Sequence, residues 1–144
     1  MKTKKQTVKK LIWLEIKHGD DLHAAISEYC LKNNLKAGLI FAIGALKNAN
    51  LGFYDQSKKK YLAEAVREPL EILSCIGNIS LKDNKPFVHA HLTVSDKKGR
   101  VYGGHLEPGS IVFACECAIL PATGEILKRK FDKITALNLC DFNN

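Results

Sequence analysis

Short apolar stretches alternate with polar turns along most of the chain, and this pattern predicts a protein built mainly of β-strands. Between Asp21 and about Asn34 the apolar residues instead recur at helical spacing, which predicts one helix near the N-terminus, capped by Asp20. Strands are predicted at residues 11–16, 37–45 (broken at Gly44), 51–54, 60–65, 70–80, 87–95, 100–106, 110–120 and 125–130, followed by an irregular end from Phe131. This arrangement is typical of an α+β domain with a mostly antiparallel sheet.

Two histidines occupy alternate positions in the predicted strand Val88-His-Ala-His-Leu-Thr-Val-Ser95. Side chains alternate between the two faces of a strand, so His89 and His91 share one face with Thr93 and Ser95. The opposite face is entirely apolar and is expected to point into the core. The sequence therefore predicts a pair of imidazoles side by side on the polar face.

The turn after this strand decides whether a third histidine joins the pair. A three-residue loop ending in Gly99 is a common hairpin type, and it pairs Asp96 with Arg100. In that register His105 lies directly opposite His91, on the same face. A slip of one residue would turn His105 to the other face, so the convergence of the three rings is a hypothesis about register.

Three histidines with an open coordination position are typical of a catalytic zinc site rather than a structural one. The sequence therefore predicts a divalent metal at His89, His91 and His105, with zinc as the first choice, although imidazoles also suit iron, nickel and copper. Such a metal would acidify a bound water or polarise a carbonyl group. The alternative is a set of partly exposed histidines on a polar sheet face, with no metal.

Two glutamates are candidates for further chemistry. Glu116 interrupts an apolar strand, and Glu71 begins the segment Glu71-Ile-Leu73. Either carboxylate could orient a metal-bound histidine or carry a proton. Either could equally form an ion pair with a lysine or arginine for structural reasons.

Five cysteines occur without the spacing of a zinc motif and without a secretion signal. They are expected to be reduced thiols, which places the protein in the cytoplasm. Cys115 and Cys117 share one face of an apolar strand, where buried cysteines pack as small hydrophobic residues. The longest apolar run has eight residues, whereas a membrane span needs about 20, so no membrane association is expected.

The net charge of +7 is concentrated at the N-terminus. Residues 1–10 hold no acidic residue and five basic ones, which are Lys2, Lys4, Lys5, Lys9 and Lys10. Without them, 17 basic residues face 15 acidic ones, a net of +2. The sequence thus predicts a solvated basic arm over residues 1–10 and one nearly neutral domain over residues 11–144. The arm could also make weak, nonspecific contacts with a polyanion such as DNA.

Several segments together resemble the PPC domain, a family of plant and prokaryotic proteins. They extend between Leu14 and about Leu139 and comprise Gly19-Asp-Asp-Leu22, Ile43-Gly-Ala-Leu46, Leu70-Glu-Ile-Leu-Ser74, Gly77-Asn-Ile-Ser80, His89-Ala-His91, Gly103-Gly-His-Leu106 and Glu116. The resemblance implies an α+β protomer that assembles as a homotrimer. The three histidines are typical of stand-alone prokaryotic members rather than plant ones. Family members are commonly described as DNA-binding, but in the plant proteins DNA contact comes from a separate AT-hook that this sequence lacks.

The fold implied by this resemblance is also similar to that of acetolactate decarboxylase, a zinc enzyme with an HxH pair and a later histidine as ligands. Two functions therefore stand beside each other. One is a DNA-associated or regulatory homotrimer with a three-histidine metal site. The other is a zinc-dependent enzyme, lyase-like or hydrolase-like, that acts on a small carbonyl or carboxylate compound. A metal-free structural trimer is a third reading.

Overall fold

A computed structural model describes residues 2–143 as one helix and ten strands. In chain order these elements are β1 Gln6–Val8, β2 Ile12–Ile16, α1 Leu22–Lys32, β3 Gly38–Asp55, β4 Lys60–Val66, β5 Leu70–Lys82, β6 Lys85–Ser95, β7 Val101–Leu106, β8 Ile111–Gly124, β9 Lys128–Asp132 and β10 Leu137–Asp141. The prediction of an α+β domain with one main helix near the N-terminus is confirmed.

Strand β3 organises the sheet. Its first half lies between β5 and β8, and its second half pairs with β4 and β7. Because β5 pairs with β6 and β6 with β7, these strands and β3 form a closed ring. All of these pairings are antiparallel, whereas β5 and β9 meet in parallel at Leu81 and Lys128. The parallel contact brings the C-terminal hairpin against the ring.

Gly44 bends β3 without ending it. The pairing of β3 with β5 shifts between Ala42 and Gly44, where Gly44 has a φ of +137°. A Cβ atom there would lie 2.2 Å from the carbonyl oxygen of Ala114, so only glycine fits. The prediction of two strands, at residues 37–45 and 51–54, is therefore wrong, because the glycine allows a bulge inside one long strand.

Helix α1 begins after Asp21, whose carboxylate accepts a hydrogen bond from the backbone N–H of Ala24 at 2.8 Å. Asp21 is therefore the capping residue, and the prediction of Asp20 is off by one position. Leu22, Ile26 and Cys30 form the buried stripe of the helix and join the apolar core. No helix within residues 2–143 is long and apolar enough to span a membrane.

Both ends of the chain are more ordered than the hydrophobic pattern predicts. In the basic arm, residues Gln6–Val8 form β1 and pair with the end of β8, and all three of these residues are exposed. Near the C-terminus, β10 pairs with β9 as a hairpin, which corrects the prediction of an irregular end. Neither strand contributes a residue to the buried core, and for that reason neither carries a clear apolar alternation.

Candidate metal centre

The hairpin of β6 and β7 has the register expected from its turn. Asp96 donates its backbone N–H to the carbonyl oxygen of Arg100 at 3.0 Å, and Gly99 has the left-handed φ of +76° that this loop requires. His91 consequently lies directly opposite His105. The register hypothesis on which the three-histidine site depended is confirmed.

Packing on the other face fixes which side of the hairpin the histidines occupy. Side chains at alternate positions of β6 are at most 3% exposed, namely Val88, Ala90, Leu92 and Val94. A one-residue slip would exchange these apolar groups with the imidazoles in the core. The burial of the apolar face therefore holds the histidines outside it.

The three imidazoles converge. One ring nitrogen from each of His89, His91 and His105 lies within 4.8 Å of the other two, and the ring centroids are 5.0–5.6 Å apart. His89 and His105 are half-buried, whereas His91 is exposed. Nδ1 of His105 is buried without any hydrogen-bond partner. A buried nitrogen of this kind is costly unless something binds it, and a metal ion would satisfy it.

Protonation also favours metal binding. Burial, the positive charge of Arg129 and the neighbouring histidines lower the pKa of His89 to about 4. Burial likewise lowers the pKa of His105, although the nearby carboxylate of Glu107 acts in the opposite direction. Neutral imidazoles keep the lone pair that a metal needs. The spacing of the three nitrogens, the unpaired Nδ1 of His105 and the lowered pKa values of His89 and His105 all fit a divalent metal.

Sequence reasoning missed the arginine beside this site. Nη2 of Arg129 lies 3.2 Å from Nδ1 of His89 and donates to it, because a guanidinium has no acceptor. Its other hydrogen bonds go to uncharged oxygens, which are Ser80 Oγ at 2.9 Å, the Asn138 carbonyl at 2.9 Å and Asn78 Oδ1 at 3.2 Å. Arg129 is one of only three arginines in the chain. The rarity of arginine was the one sequence signal that could have pointed to Arg129. The parallel pairing of β9 with β5, which brings Arg129 to the site, is not visible in the sequence.

A small cavity of about 210 Å³ opens beside the histidines. Its lining includes His89, His105 and Arg129, together with Tyr61, Lys82 and Phe87. The ring of Tyr61 lies 5.2 Å from that of His105, and burial and the charge of Glu107 raise the pKa of Tyr61. The phenol therefore stays protonated and can donate a hydrogen bond into the cavity.

The two candidate glutamates lie away from the histidines within one chain. Glu116 is exposed on β8 and pairs with Ile43 of β3, which leaves three strand spacings, or about 14 Å, to β6. Glu71 is exposed and pairs with Ser95, four residues or about 13 Å along β6 from His91. They line separate, larger surface cavities of about 620 and 570 Å³. The catalytic roles of both carboxylates stay predictions.

Four of the five cysteines belong to the core. All five are free thiols, and Cys30, Cys75, Cys115 and Cys117 are buried. Burial raises the pKa of Cys75 and of Cys117 to about 12, so these thiols stay protonated and unreactive. Among residues 2–143, the three histidines form the group with metal-binding geometry, and no cysteine takes part in it. The prediction that Cys115 and Cys117 pack as small hydrophobic residues is confirmed.

Solved structures with the same architecture include three informative ones. A metal-containing protein from Archaeoglobus fulgidus is 45% identical and matches 97% of this chain and 99% of its own, with a TM-score of 0.91. A plant- and prokaryote-conserved (PPC) protein from Pyrococcus horikoshii is 34% identical over 98% of this chain and 97% of its own, also with a TM-score of 0.91. A protein from Bacteroides thetaiotaomicron described as a candidate DNA-binding protein is 26% identical over 96% and 99%, with a TM-score of 0.87.

Curated relatives share only a segment with this chain. The bifunctional protein GlmU of a Synechococcus strain is 35% identical over 101 residues, which are 69% of this chain but 15% of that protein. The match identifies the shared segment and not the activity of the longer protein. A sequence model of the Plants and Prokaryotes Conserved domain, the PPC domain of the sequence analysis, matches residues 3–123. Because the family model matches most of the chain and the solved structures share its fold, the chain belongs to the Plants and Prokaryotes Conserved domain family.

Proposed function

We propose that this protein binds one divalent metal ion, zinc in the first instance, through His89, His91 and His105. The observation that carries the proposal is the convergence of three ring nitrogens within 4.8 Å, one of the rings having a buried Nδ1 without a partner. The metal-containing relative from Archaeoglobus fulgidus supports it. Three protein ligands leave a coordination position open, where a bound metal would supply Lewis-acid chemistry or an activated water.

Metal content per chain tests the proposal directly. We expect inductively coupled plasma mass spectrometry to find about one metal per chain in protein purified without a nickel column. The double variant His89→Ala/His91→Ala should lose the metal. His18→Ala is the matched control, because His18 hydrogen-bonds the backbone of Phe113, outside the three-histidine group, and this variant should keep the metal. Absence of metal from the wild type after incubation with excess zinc would overturn the proposal.

A DNA-associated or regulatory role is the function we propose around this metal site. The description of the Bacteroides thetaiotaomicron relative and the basic arm support it. The test replaces Lys2, Lys4, Lys5, Lys9 and Lys10 by serine, which leaves the backbone of β1 intact. If the arm is responsible, the salt dependence of DNA binding should weaken by up to about 4.5 in logarithmic slope. An unchanged salt dependence would mean that DNA contacts residues outside the arm.

The alternative function is a zinc-dependent, lyase-like or hydrolase-like enzyme acting on a small carbonyl or carboxylate compound. The cavity beside the histidines favours this candidate, because it holds ionisable and hydrogen-bonding groups next to an open metal position. The kinship to acetolactate decarboxylase stays a prediction. A screen of small 2-oxo and 2-hydroxy acids with the zinc-loaded protein tests the alternative, and turnover that survives His89→Ala/His91→Ala would speak against it.

We further propose a homotrimer in the cytoplasm. An exposed apolar row crosses the sheet from Trp13 through Ala118 and Phe41 to Ile76, with 65% of Trp13 and 55% of Ile76 exposed. Contiguous apolar surface of this kind is typical of a protein interface. Sedimentation should give three times the chain mass of 16.0 kDa, and Phe41→Glu should lower the measured mass.

The cytoplasmic location is supported by the cysteines, because free thiols are typical of proteins in a reducing compartment.

A further inference from the structure

Arg129 is a half-buried cation surrounded by neutral groups. Its guanidinium hydrogen-bonds a hydroxyl, a carbonyl, an amide oxygen and an imidazole. Among residues 2–143, no carboxylate lies within 4.0 Å of it, whereas Lys58 and Arg100 each pair with an acidic residue. A charge that is removed from water without a counter-ion is unfavourable. The surroundings of Arg129 therefore favour an added anion.

Metal binding would change the hydrogen bonding of this arginine. A neutral imidazole has one lone pair and one N–H, and Arg129 donates to the lone pair on Nδ1 of His89. A metal on Nδ1 would take that lone pair. A metal on Nε2 would move the proton to Nδ1, where it would face another donor. Whichever nitrogen of neutral His89 binds the metal, a guanidinium N–H of Arg129 loses its acceptor next to the metal.

We propose that Arg129 is the anion-binding residue of this site and that it takes the carboxylate group of a small ligand whose other end faces the metal position. The inference rests on the metal site proposed above, and it names the ligand class that this site selects. It also concerns a residue outside the segment shared with the family model, which ends at residue 123.

The cavity fits a small carboxylate. Its volume of about 210 Å³ has room for a compound of a few non-hydrogen atoms. Arg129 and Lys82 bring positive charge, and Tyr61 brings a phenol group. The guanidinium carbon lies 4.9 Å from the centre of the Phe87 ring, which keeps the planar group in place along one side of the cavity. A planar fork of N–H groups matches a carboxylate.

The test measures anion binding to the cobalt(II)-substituted protein by its visible absorption spectrum. Sodium glycolate is the probe, because its hydroxyl group can face the metal while its carboxylate reaches Arg129, and glycolamide is its uncharged isostere. We expect glycolate to bind at least about tenfold more tightly than glycolamide, because a hydrogen bond between charged groups contributes that much or more. Arg129→Gln should remove the difference, Arg129→Lys should restore part of it, and Lys130→Gln, a change of equal charge on an exposed neighbour, should leave it unchanged.

A second readout requires no anion. Arg129→Gln should bind zinc at least as tightly as the wild type in a chelator competition, because the variant removes a positive charge and replaces a group that can only donate to His89 by an amide that can also accept. Thermal melting of each variant checks that it is folded. Glycolate binding that is equal in Arg129→Gln and wild type, or absent at concentrations on the order of 10 mM, would overturn the inference and leave the metal site standing. Wild-type protein that binds no metal would overturn both this inference and the proposed metal site.

Discussion

Two hairpins meet at the candidate site, and they contribute opposite chemistry. The histidine hairpin (residues 85–106) brings three imidazole rings, each with a nitrogen that can act as a ligand, and its other face is buried in the core. The arginine hairpin (residues 128–141) brings a cation that can only donate, and its own apolar side chains are largely exposed, as with 82% of Ile134. The acceptors are thus held by core packing, whereas the donor is held by a few polar contacts.

The two hairpins thus serve two different tasks of one binding site, which are holding the metal and pairing with the ligand. Metal ligands must keep a fixed spacing, so they belong on strands whose register is enforced by burial. A group that pairs with a variable ligand can tolerate a weaker attachment. The following experiments disturb one hairpin, then the charge interaction between them, and then their one aromatic contact.

The largest effect is expected from Gly104→Ala in the histidine hairpin. A Cβ atom at Gly104 would lie 2.7 Å from the carbonyl oxygen of Gly52, which is backbone and cannot move aside. We expect the free energy of unfolding to fall by about 3 kcal/mol in urea denaturation, with a loss of metal binding. Gly103→Ala is the control, because its nearest neighbour is 3.3 Å away, and it should cost about 1 kcal/mol or less. Equal effects would contradict this account of the register.

A smaller effect is expected from acidification of the metal-free protein. The pKa of His89 is near 4 in the folded chain, against about 6.5 when unfolded. Between these values the unfolded state binds more protons than the folded state. The free energy of unfolding therefore has its full value above pH 6.5 and decreases as the pH falls toward 4. After allowance for solvent contact the loss is about 2 kcal/mol.

The variant His89→Gln isolates this contribution. It should show a flatter stability profile over the same pH range, because a glutamine does not titrate. Arg129→Gln should flatten the profile in part, since the arginine charge contributes to the low pKa of His89. Parallel profiles for wild type and His89→Gln would assign the acid sensitivity to other groups.

The smallest effect concerns the ring of Phe87, which belongs to the histidine hairpin and lies 4.9 Å from the guanidinium carbon of Arg129. A double-mutant cycle of Phe87→Leu and Arg129→Gln should give a coupling free energy of about 0.5–1 kcal/mol. Lys82 lies 5.5 Å from the same ring, so the cycle is repeated with Lys82→Gln to subtract its share. A coupling near zero would mean that the ring does not position the arginine.

The centre of the site was predictable because its determinants are local. The pairing of His91 with His105 follows from one glycine-containing loop and from the apolar alternation of β6, both of which are written in a short stretch of sequence. Arg129 was not predictable, because it reaches His89 through a parallel contact between β5 and β9. A single pairing between distant segments leaves no periodic signal.

The errors elsewhere have similar causes. Gly44 was expected to end a strand, because the sequence does not show that a neighbouring carbonyl approaches within 2.2 Å of its missing Cβ. Glu116 was expected to need a partner because Val112 was placed on its face, yet the pairing irregularities of β3 with β8 near Val112 turn that valine to the buried face, while Glu116 stays on the exposed one. In both cases a bulge changed which residues share a face, and bulges depend on tertiary packing.

The attachment of the arginine hairpin also has a consequence for the motions of the folded chain. Its backbone pairs with the ring at one position, Leu81 with Lys128, and the other attachments include side-chain hydrogen bonds from Arg129 and from Tyr54. Such a segment is expected to open as a unit without global unfolding. Native-state hydrogen exchange should therefore find the amides of β9 and β10 exchanging at a lower free energy than those of β6. The ligand proposed for Arg129 would then enter and leave when the arginine hairpin opens, while the three histidines stay in place.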